Sequence, residues 1–434
     1  MRIPNPGSAR RSSLARKGLA VAAATAMVVG LAACGSSDGD SSASQKSLDK
    51  NEKLTITTFG EFGYDKLIDE WNSGDHPFKV EQRKIGKWDD WKVELTTKLQ
   101  AGNGLPDVVA VEGDMIPAIV QNADSFVDLS GPDVDGRWLK FKSDAATTDD
   151  GKLVGYATDA GPEGVCYRKD LFAKAGLPTD RAEVAKLMTT WDDYFALGDK
   201  YVKAMPKSKW FDSSSGIAQA MLNQVEFPFE KADNTIDISS PELRKVYDTV
   251  TKEHLNLSTR NKIWEADWTA SFQNDGFATI MCPGWMRANI ETNANGTGTW
   301  DIADAFPGGG GNWGGSYLTV PTQSKHQEQA KEFAAWITAP EQQAKAFEAA
   351  GNFPSQVKAL DDPAVTGFTT PLFGDAPYGQ ILSNRAKAIT VQPHHGPKYS
   401  DILGEFQAAI DRVDEGSAKP DDSWKKFQDA VGAM

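Results

Sequence analysis

The 434 residues carry 46 Lys and Arg against 60 Asp and Glu, a formal net charge of −14. Such acidity argues against nucleic acid or an anionic lipid surface as a partner, because both demand a cationic face. The length exceeds what one hydrophobic core normally supports, so two lobes are expected.

The chain begins with an export pattern. Residues 18–33 are uncharged and mostly small or apolar; Arg2, Arg10, Arg11, Arg16 and Lys17 precede them and Leu31-Ala32-Ala33-Cys34 ends them. The cations stay inside, the apolar run enters the membrane, and the small residues admit a signal peptidase that leaves a cysteine first. Residues 1–33 therefore read as a signal peptide and Cys34 as a lipidated residue. The run is too short for a stable membrane span, which needs about 20 residues. Arg10-Arg11 also fits a twin-arginine signal, so Sec and twin-arginine export both stay open. Loss of the leader cations takes the net charge from −14 to −19. Residues 34–52 include a Gly/Ser/Asp-rich stretch and read as a flexible tether. The expected place is the extracellular face of the cytoplasmic membrane, held by lipid alone.

The globular part opens with a β-branched alternating run at 54–59, followed by helical spacing at Leu67, Ile68 and Trp71. A second strand is expected at 78–82 and a second helix at 91–99. Leu105-Pro106-Asp107 then turns into the continuous apolar run 108–111, the pattern of a parallel strand covered on both faces. This alternation predicts an α/β fold. Short strands at 152–156 and 164–168 flank Thr158-Asp159-Ala160-Gly161-Pro162-Glu163, whose Gly and Pro suit a crossing between lobes. Further strands are expected at 277–282 and 317–321. Amphipathic helices at 328–337 and 341–350, parted by Ala339-Pro340, turn Phe333, Trp336, Ile337 and Phe347 inward. Cys166 and Cys282 are either bridged, closing a loop of about 115 residues, or two separate buried thiols. Both readings stay open.

Thirteen tryptophans are many, and Trp264, Trp268, Trp285, Trp300, Trp313 and Trp336 fall close together. Trp336 lies on an apolar helix face and reads as core. Trp264 and Trp268 stand in Ile263-Trp264-Glu265-Ala266-Asp267-Trp268, where carboxylates interleave with the rings. That mixture suits a pyranose, whose C–H face stacks on an aromatic ring while its hydroxyl rim bonds to polar groups. The glycine-rich run 306–316 lacks the Lys-Ser or Lys-Thr of a phosphate loop and leads into a strand, which excludes that reading. Its glycines suit close approach to a ligand or a hinge, with Asn312, Trp313, Gly315 and Ser316 at hand. His394-His395, an adjacent pair, reads as solvent-exposed rather than metal-binding, and no metal or cofactor is expected. No Gly-x-Ser-x-Gly elbow appears.

From residue 53 onward the chain resembles the extracellular solute-binding proteins of sugar ABC importers, the family of maltose-binding protein. The motifs agree in order: Leu105 to Val111, the crossing 151–164, and Tyr167-Arg168-Lys169-Asp170-Leu171. It is most similar to a cellobiose- and cello-oligosaccharide-binding branch, through Gly161-Pro162-Glu163-Gly164, Cys282-Pro283-Gly284-Trp285-Met286 and the run 308–319. The resemblance implies two α/β lobes, each a mostly parallel sheet flanked by helices, closing on a sugar without making or breaking a bond. It implies that Trp285 stacks on the sugar, that Glu61 with Phe62 and also Asp114 reach the cleft, and that Tyr399 is a late stacking aromatic. An acidic cleft residue of the family aligns with Gly161, so Asp159 or Glu163 is expected to replace it.

The expected ligand set is thus Glu61, Phe62, Asp114, Asp159, Glu163, Trp264, Asp267, Trp268, Trp285, Asn312, Trp313, Gly315, Ser316 and Tyr399. The expected lobes are 53–160 with 317–385, and 161–316 with 386–434. The function expected is a monomeric, lipid-anchored receptor that passes cellobiose or cellotriose to an ABC permease. The alternatives are another oligosaccharide (xylobiose, chitobiose or a maltodextrin), a secreted glycosidase, or a surface adhesin.

Overall fold

The computed structural model describes residue 48 and residues 52–434. The expected signal peptide, Cys34 and most of the tether lie outside the described residues. Among the described residues, nine strands form two sheets. The first contains β1 (Lys53–Phe59), β2 (Lys79–Ile85), β3 (Val108–Glu112), β4 (Tyr156–Ala157) and β9 (Ser316–Thr319), in the order β2-β1-β3-β9-β4. The second contains β5 (Glu163–Arg168), β6 (Lys209–Phe211), β7 (Phe277–Pro283) and β8 (Trp300–Ala303), in the order β6-β7-β5-β8.

Local chemistry explains the first sheet. Leu54 and Ile56 of β1 point into the core between exposed Lys53 and Thr55, and β3 is buried along Val108-Val109-Ala110-Val111. Asp107, the acid of the Leu-Pro-Asp turn, accepts from both the amide and the hydroxyl of Thr55 at 2.8 Å, which sets β3 beside β1. Helices Asp65–Ser73 and Trp88–Ala101 return the chain between β1, β2 and β3. Trp71 and Trp91 anchor them through indole bonds to Phe78 O (3.1 Å) and Ala110 O (2.8 Å).

The sheets are mixed rather than mostly parallel. β1 pairs parallel with β2 and β3, but β9 pairs antiparallel with β3 and β4. In the second sheet only β6 and β7 are parallel, while β5 is antiparallel to β7 and β8. Connectivity is the reason. β4 leaves the first lobe and β9 enters it, whereas β5 enters the second lobe and β8 leaves it; strands that neighbour each other at a hinge then run in opposite directions.

The expected lobe boundary at 385–386 is also corrected. Ala330, Phe333, Ala334, Ile337 and Ala346 join the first core, but Phe347, Phe353, Val365, Phe373, Tyr378 and Leu382 pack with Cys166, Cys282 and Trp300 on the second sheet. Ion pairs Arg181–Asp375 (3.0 Å) and Arg385–Asp304 (2.7 Å) hold this stretch there. An amphipathic helix shows which face is buried, not which lobe covers it. Cys166 on β5 and Cys282 on β7 are bonded, with Cα atoms 5.5 Å apart.

Candidate ligand-binding site between the lobes

Three segments cross between the lobes and are laced together. Ala160 N donates to Phe353 O (2.8 Å), Trp313 N to Gly161 O (2.8 Å) and Glu163 N to Gly311 O (3.1 Å). Gly161 N donates to Asn312 Oδ1 at 2.9 Å. A Cβ on Gly161 would stand 1.9 Å from Trp313 O, so no larger residue fits this crossing. The missing acidic side chain at Gly161 therefore has a structural cause. Asp159 is committed to the hinge, accepting from Thr158 Oγ1 (2.6 Å) and Ser316 N (2.8 Å). Glu163 Oε2 accepts from Asn223 Nδ2 at 2.7 Å, while its buried Oε1 has no partner.

An aromatic wall stands on the second lobe. Apolar β7 ends at Pro283-Gly284 and delivers Trp285, whose Nε1 donates to Trp313 O at 3.1 Å. Trp285 lies edge-on to Trp313 at 5.4 Å and 5.9 Å from Trp264. Trp264 is 36% exposed and held at φ 70°. Trp268 is 1% exposed and bonds Asp212 Oδ2 at 2.7 Å; it supports Trp264 from beneath at 4.9 Å. Asp267 points to solvent. On the first lobe, Phe59 lies 4.8 Å from Trp88 and 5.2 Å from Phe62. Lys87–Glu265 (3.0 Å) joins the segment carrying Trp88 to that carrying Trp264. Glu61 stays at the surface, paired with Lys84 at 3.2 Å.

A buried polar cluster adjoins this wall, linked to it by residues 313–316. A Cβ on Gly314 would touch Trp285 Nε1 at 4.0 Å, and one on Gly315 would lie 2.6 Å from Lys142 Nζ. Lys142 is 3% exposed, its Nζ 4.4 Å above the Tyr317 ring. From the second lobe His395 Nδ1 meets Asp114 Oδ1 at 3.4 Å, and the His395 ring stacks on Tyr399 at 3.7 Å. Lys92 of the helix Trp88–Ala101 donates to Ser400 (2.9 Å) and Asp401 (3.0 Å), at the start of the helix Tyr399–Asp414. The expected solvent exposure of His394-His395 is thus wrong for His395, which closes an interlobe contact. Tyr399 differs from the expected stacking platform, because His395 covers its face and the ring is fully buried.

The electrostatics follow from burial. Asp114 is pushed up to about 6 by burial, opposed by Lys142 and Lys92. Burial lowers Lys142 to about 8 against the pull of Asp159 and Asp114. Burial holds His395 down to about 3, with His394 and Lys142 adding to it, so an uncharged ring faces Asp114. Glu112 is raised well above its ordinary value by burial and then by Asp114. Tyr64 Oη and His395 Nε2 are buried without a partner, whereas the Tyr399 hydroxyl meets the Gln219 side chain. Such atoms cost free energy until something bonds to them.

Tyr64, Lys142 and His395 were not among the expected contacts. Tyr64 precedes an ordinary helix start and Lys142 sits in a short polar helix, so neither carries a sequence signal. His395 and Tyr399 stand four residues apart around Gly396-Pro397, and that spacing was the available clue. Among the described residues no group of three or more His, Cys, Asp or Glu is placed to hold a metal ion.

Burial raises Glu163 to about 8, opposed by the Asn223 bond. The folded state then keeps a proton that the unfolded chain releases near its ordinary value, so stability is lost as pH rises from about 4.5 toward 8. Glu163→Gln should therefore melt higher than the parent at pH 8 and show a flatter melting profile from pH 5 to 8. Parallel profiles would show that Glu163 is ionised in the fold.

A family model described as bacterial extracellular solute-binding protein matches residues 66–370. An arabinooligosaccharide-binding protein of Bacillus subtilis (strain 168) is 27% identical over 312 residues, 67% of this chain and 70% of that protein. A crystal structure of an extracellular solute-binding protein of family 1 superposes with a TM-score of 0.77 at 43% identity, covering 87% of this chain and 98% of that one. The ABC transporter associated binding protein from B. animalis subsp. lactis Bl-04, in complex with beta-1,6-galactobiose, shares the fold: TM-score 0.75 at 21% identity, covering 87% of this chain and 96% of that one. With a matched model over most of the chain and the two-lobed fold around an interlobe site, the chain belongs to the bacterial extracellular solute-binding proteins, binding proteins rather than enzymes.

Proposed function

We propose that the chain is the lipid-anchored receptor of an ABC importer for β-linked gluco-oligosaccharides, cellobiose and cellotriose foremost. It captures them between its lobes and hands them to a permease. One observation carries the reading: exposed Trp264 and half-buried Trp285 and Trp313 stand together beside the crossing segments, and the buried polar cluster linked to them through residues 313–316 leaves Tyr64 Oη and His395 Nε2 without a partner. Flat apolar faces beside unsatisfied donors and acceptors match the two surfaces of a pyranose. Cys34 behind its apolar run supports the anchor.

A second reading keeps the receptor and changes the sugar to another neutral oligosaccharide. Relatives named for arabino-oligosaccharides and a neighbour solved with beta-1,6-galactobiose favour it. A melting panel of cello-, xylo-, arabino-, galacto- and malto-oligosaccharides separates the two, since a ligand at 100 times its Kd stabilises by about 2.7 kcal/mol. Cello-oligosaccharides should give the largest shift, with no reducing sugar released over time. A larger shift with another series moves the assignment there, and steady product release sinks the receptor reading. Detergent-phase partition that Cys34→Ser abolishes checks the anchor.

A further inference from the structure

Resting on the sugar-receptor reading, we propose that the start of the helix Trp88–Ala101 is an electrostatic latch between the lobes, which makes the affinity of this chain for an uncharged sugar depend on ionic strength. Two lysines of the first lobe reach across to separate parts of the second. Lys87 Nζ meets Glu265 Oε1 at 3.0 Å, just ahead of the helix Ala266–Ser271. Lys92 Nζ meets Asp401 Oδ1 at 3.0 Å and Ser400 Oγ at 2.9 Å, in the first turn of the helix Tyr399–Asp414. Both sides of the latch are anchored. Trp91 and Leu95 bury the lysine helix in the first core, while Trp268 and Ile402 root the two acidic segments in the second lobe.

Position decides what these pairs do. The lobes are joined through residues 160–163 and 311–313 and through Phe353, and none of the four charged residues belongs to those crossings. Rotation of one lobe about them separates both pairs at once, so the pairs favour the closed form over the open one. A neutral sugar offers no charge for salt to screen. All four charged side chains stay partly open to solvent, so mobile ions reach the pairs. A screening length that shrinks from about 30 Å at 0.01 M salt to about 3 Å at 1 M then weakens them. Each exposed pair is worth about threefold in the closing equilibrium, and two pairs on one helix multiply.

Two measurements at about 0.01 M and about 1 M sodium chloride test the latch: calorimetry with the best neutral sugar of the panel, and small-angle X-ray scattering of the ligand-free chain. The parent should bind about fivefold more weakly at high salt, and its ligand-free radius of gyration should rise. Lys92 also acts on Asp114, so its partner is changed instead. Glu265→Gln with Asp401→Asn should bind about fivefold more weakly than the parent at low salt and lose nothing further as salt rises. Lys87→Glu or Glu265→Lys alone sets like charges face to face, whereas the two together should restore both the affinity and its salt dependence. Salt-independent affinity in the parent, parental low-salt affinity in the Gln/Asn variant, or a charge swap no better than its single changes overturns the latch. Absence of binding by every sugar defeats the receptor reading instead, and an unchanged radius of gyration across the salt range then overturns the latch as well.

Discussion

Replacing Trp285 by alanine should cut oligosaccharide affinity by about 30-fold, with little change in fold. One indole face offers a sugar ring roughly 60 Å² of apolar contact, worth about 1.5 kcal/mol, and face-on stacking adds about 0.5–1 kcal/mol. The sum, about 2 kcal/mol, is the quoted factor. Trp285 is well placed for such a loss. It is the first residue after the Pro283-Gly284 turn, its Nε1 is tied to Trp313 O at 3.1 Å, and Trp264 and Trp313 flank it. A platform fixed before the ligand arrives spends no side-chain entropy on binding. Trp285→Phe should recover part of the affinity by keeping a ring while losing the indole bond. Calorimetry with the best ligand of the panel reads both variants. Parental affinity in Trp285→Ala would remove this residue from the site.

Trp285 also shows why part of the site is legible in the sequence. An apolar strand stopped by Pro-Gly and followed at once by Trp places an indole at the mouth of a sheet, and β7 does so. The carboxylates beside Trp264 carried less information than they promised. Glu265 pairs across to Lys87 and Asp267 faces solvent, while the acid that matters to the cluster is Asp212, distant in sequence and bonded to Trp268. Lys142 and Tyr64 both come near Asp159 only because β4, β9 and the loop after β1 converge. Nothing local in the chain records that convergence.

The fold divides the same way. β1, β3 and β7 announce themselves by alternation or by continuous apolar runs, since burial on one or two faces is a local property of a strand. Strand direction at the hinge and the lobe covered by the helix Tyr378–Lys387 depend on where the chain returns. Both escaped the periodicity. Tyr378 Oη donates to Gly284 O at 2.6 Å, just behind Trp285, so a stretch expected in the first lobe in fact buttresses the platform on the second.

Removing the disulfide should cost much stability and little affinity. The bond joins residues 116 apart, for which loop closure in the unfolded chain predicts about 4–5 kcal/mol and measured bridges commonly give about 2–4 kcal/mol. Cys166→Ala with Cys282→Ala should therefore lower the denaturant midpoint clearly, and the small cavities left by two buried sulfurs add to the loss. Binding is a separate matter. β5 and β7 stay in register through Glu163↔Pro283, Gly164↔Cys282, Val165↔Met281, Cys166↔Ile280 and Tyr167↔Thr279, so the hinge strand and the strand that delivers Trp285 remain paired without the bridge. Affinity for the best ligand should hold within about threefold. Both cysteines are fully buried, so a reductant should reach the bond only through unfolding, and ligand should slow its reduction. An unchanged midpoint in the double variant would show that the bridge does not constrain the unfolded chain. A large loss of affinity at preserved stability would show instead that the bond, rather than the ladder, holds Trp285 in place.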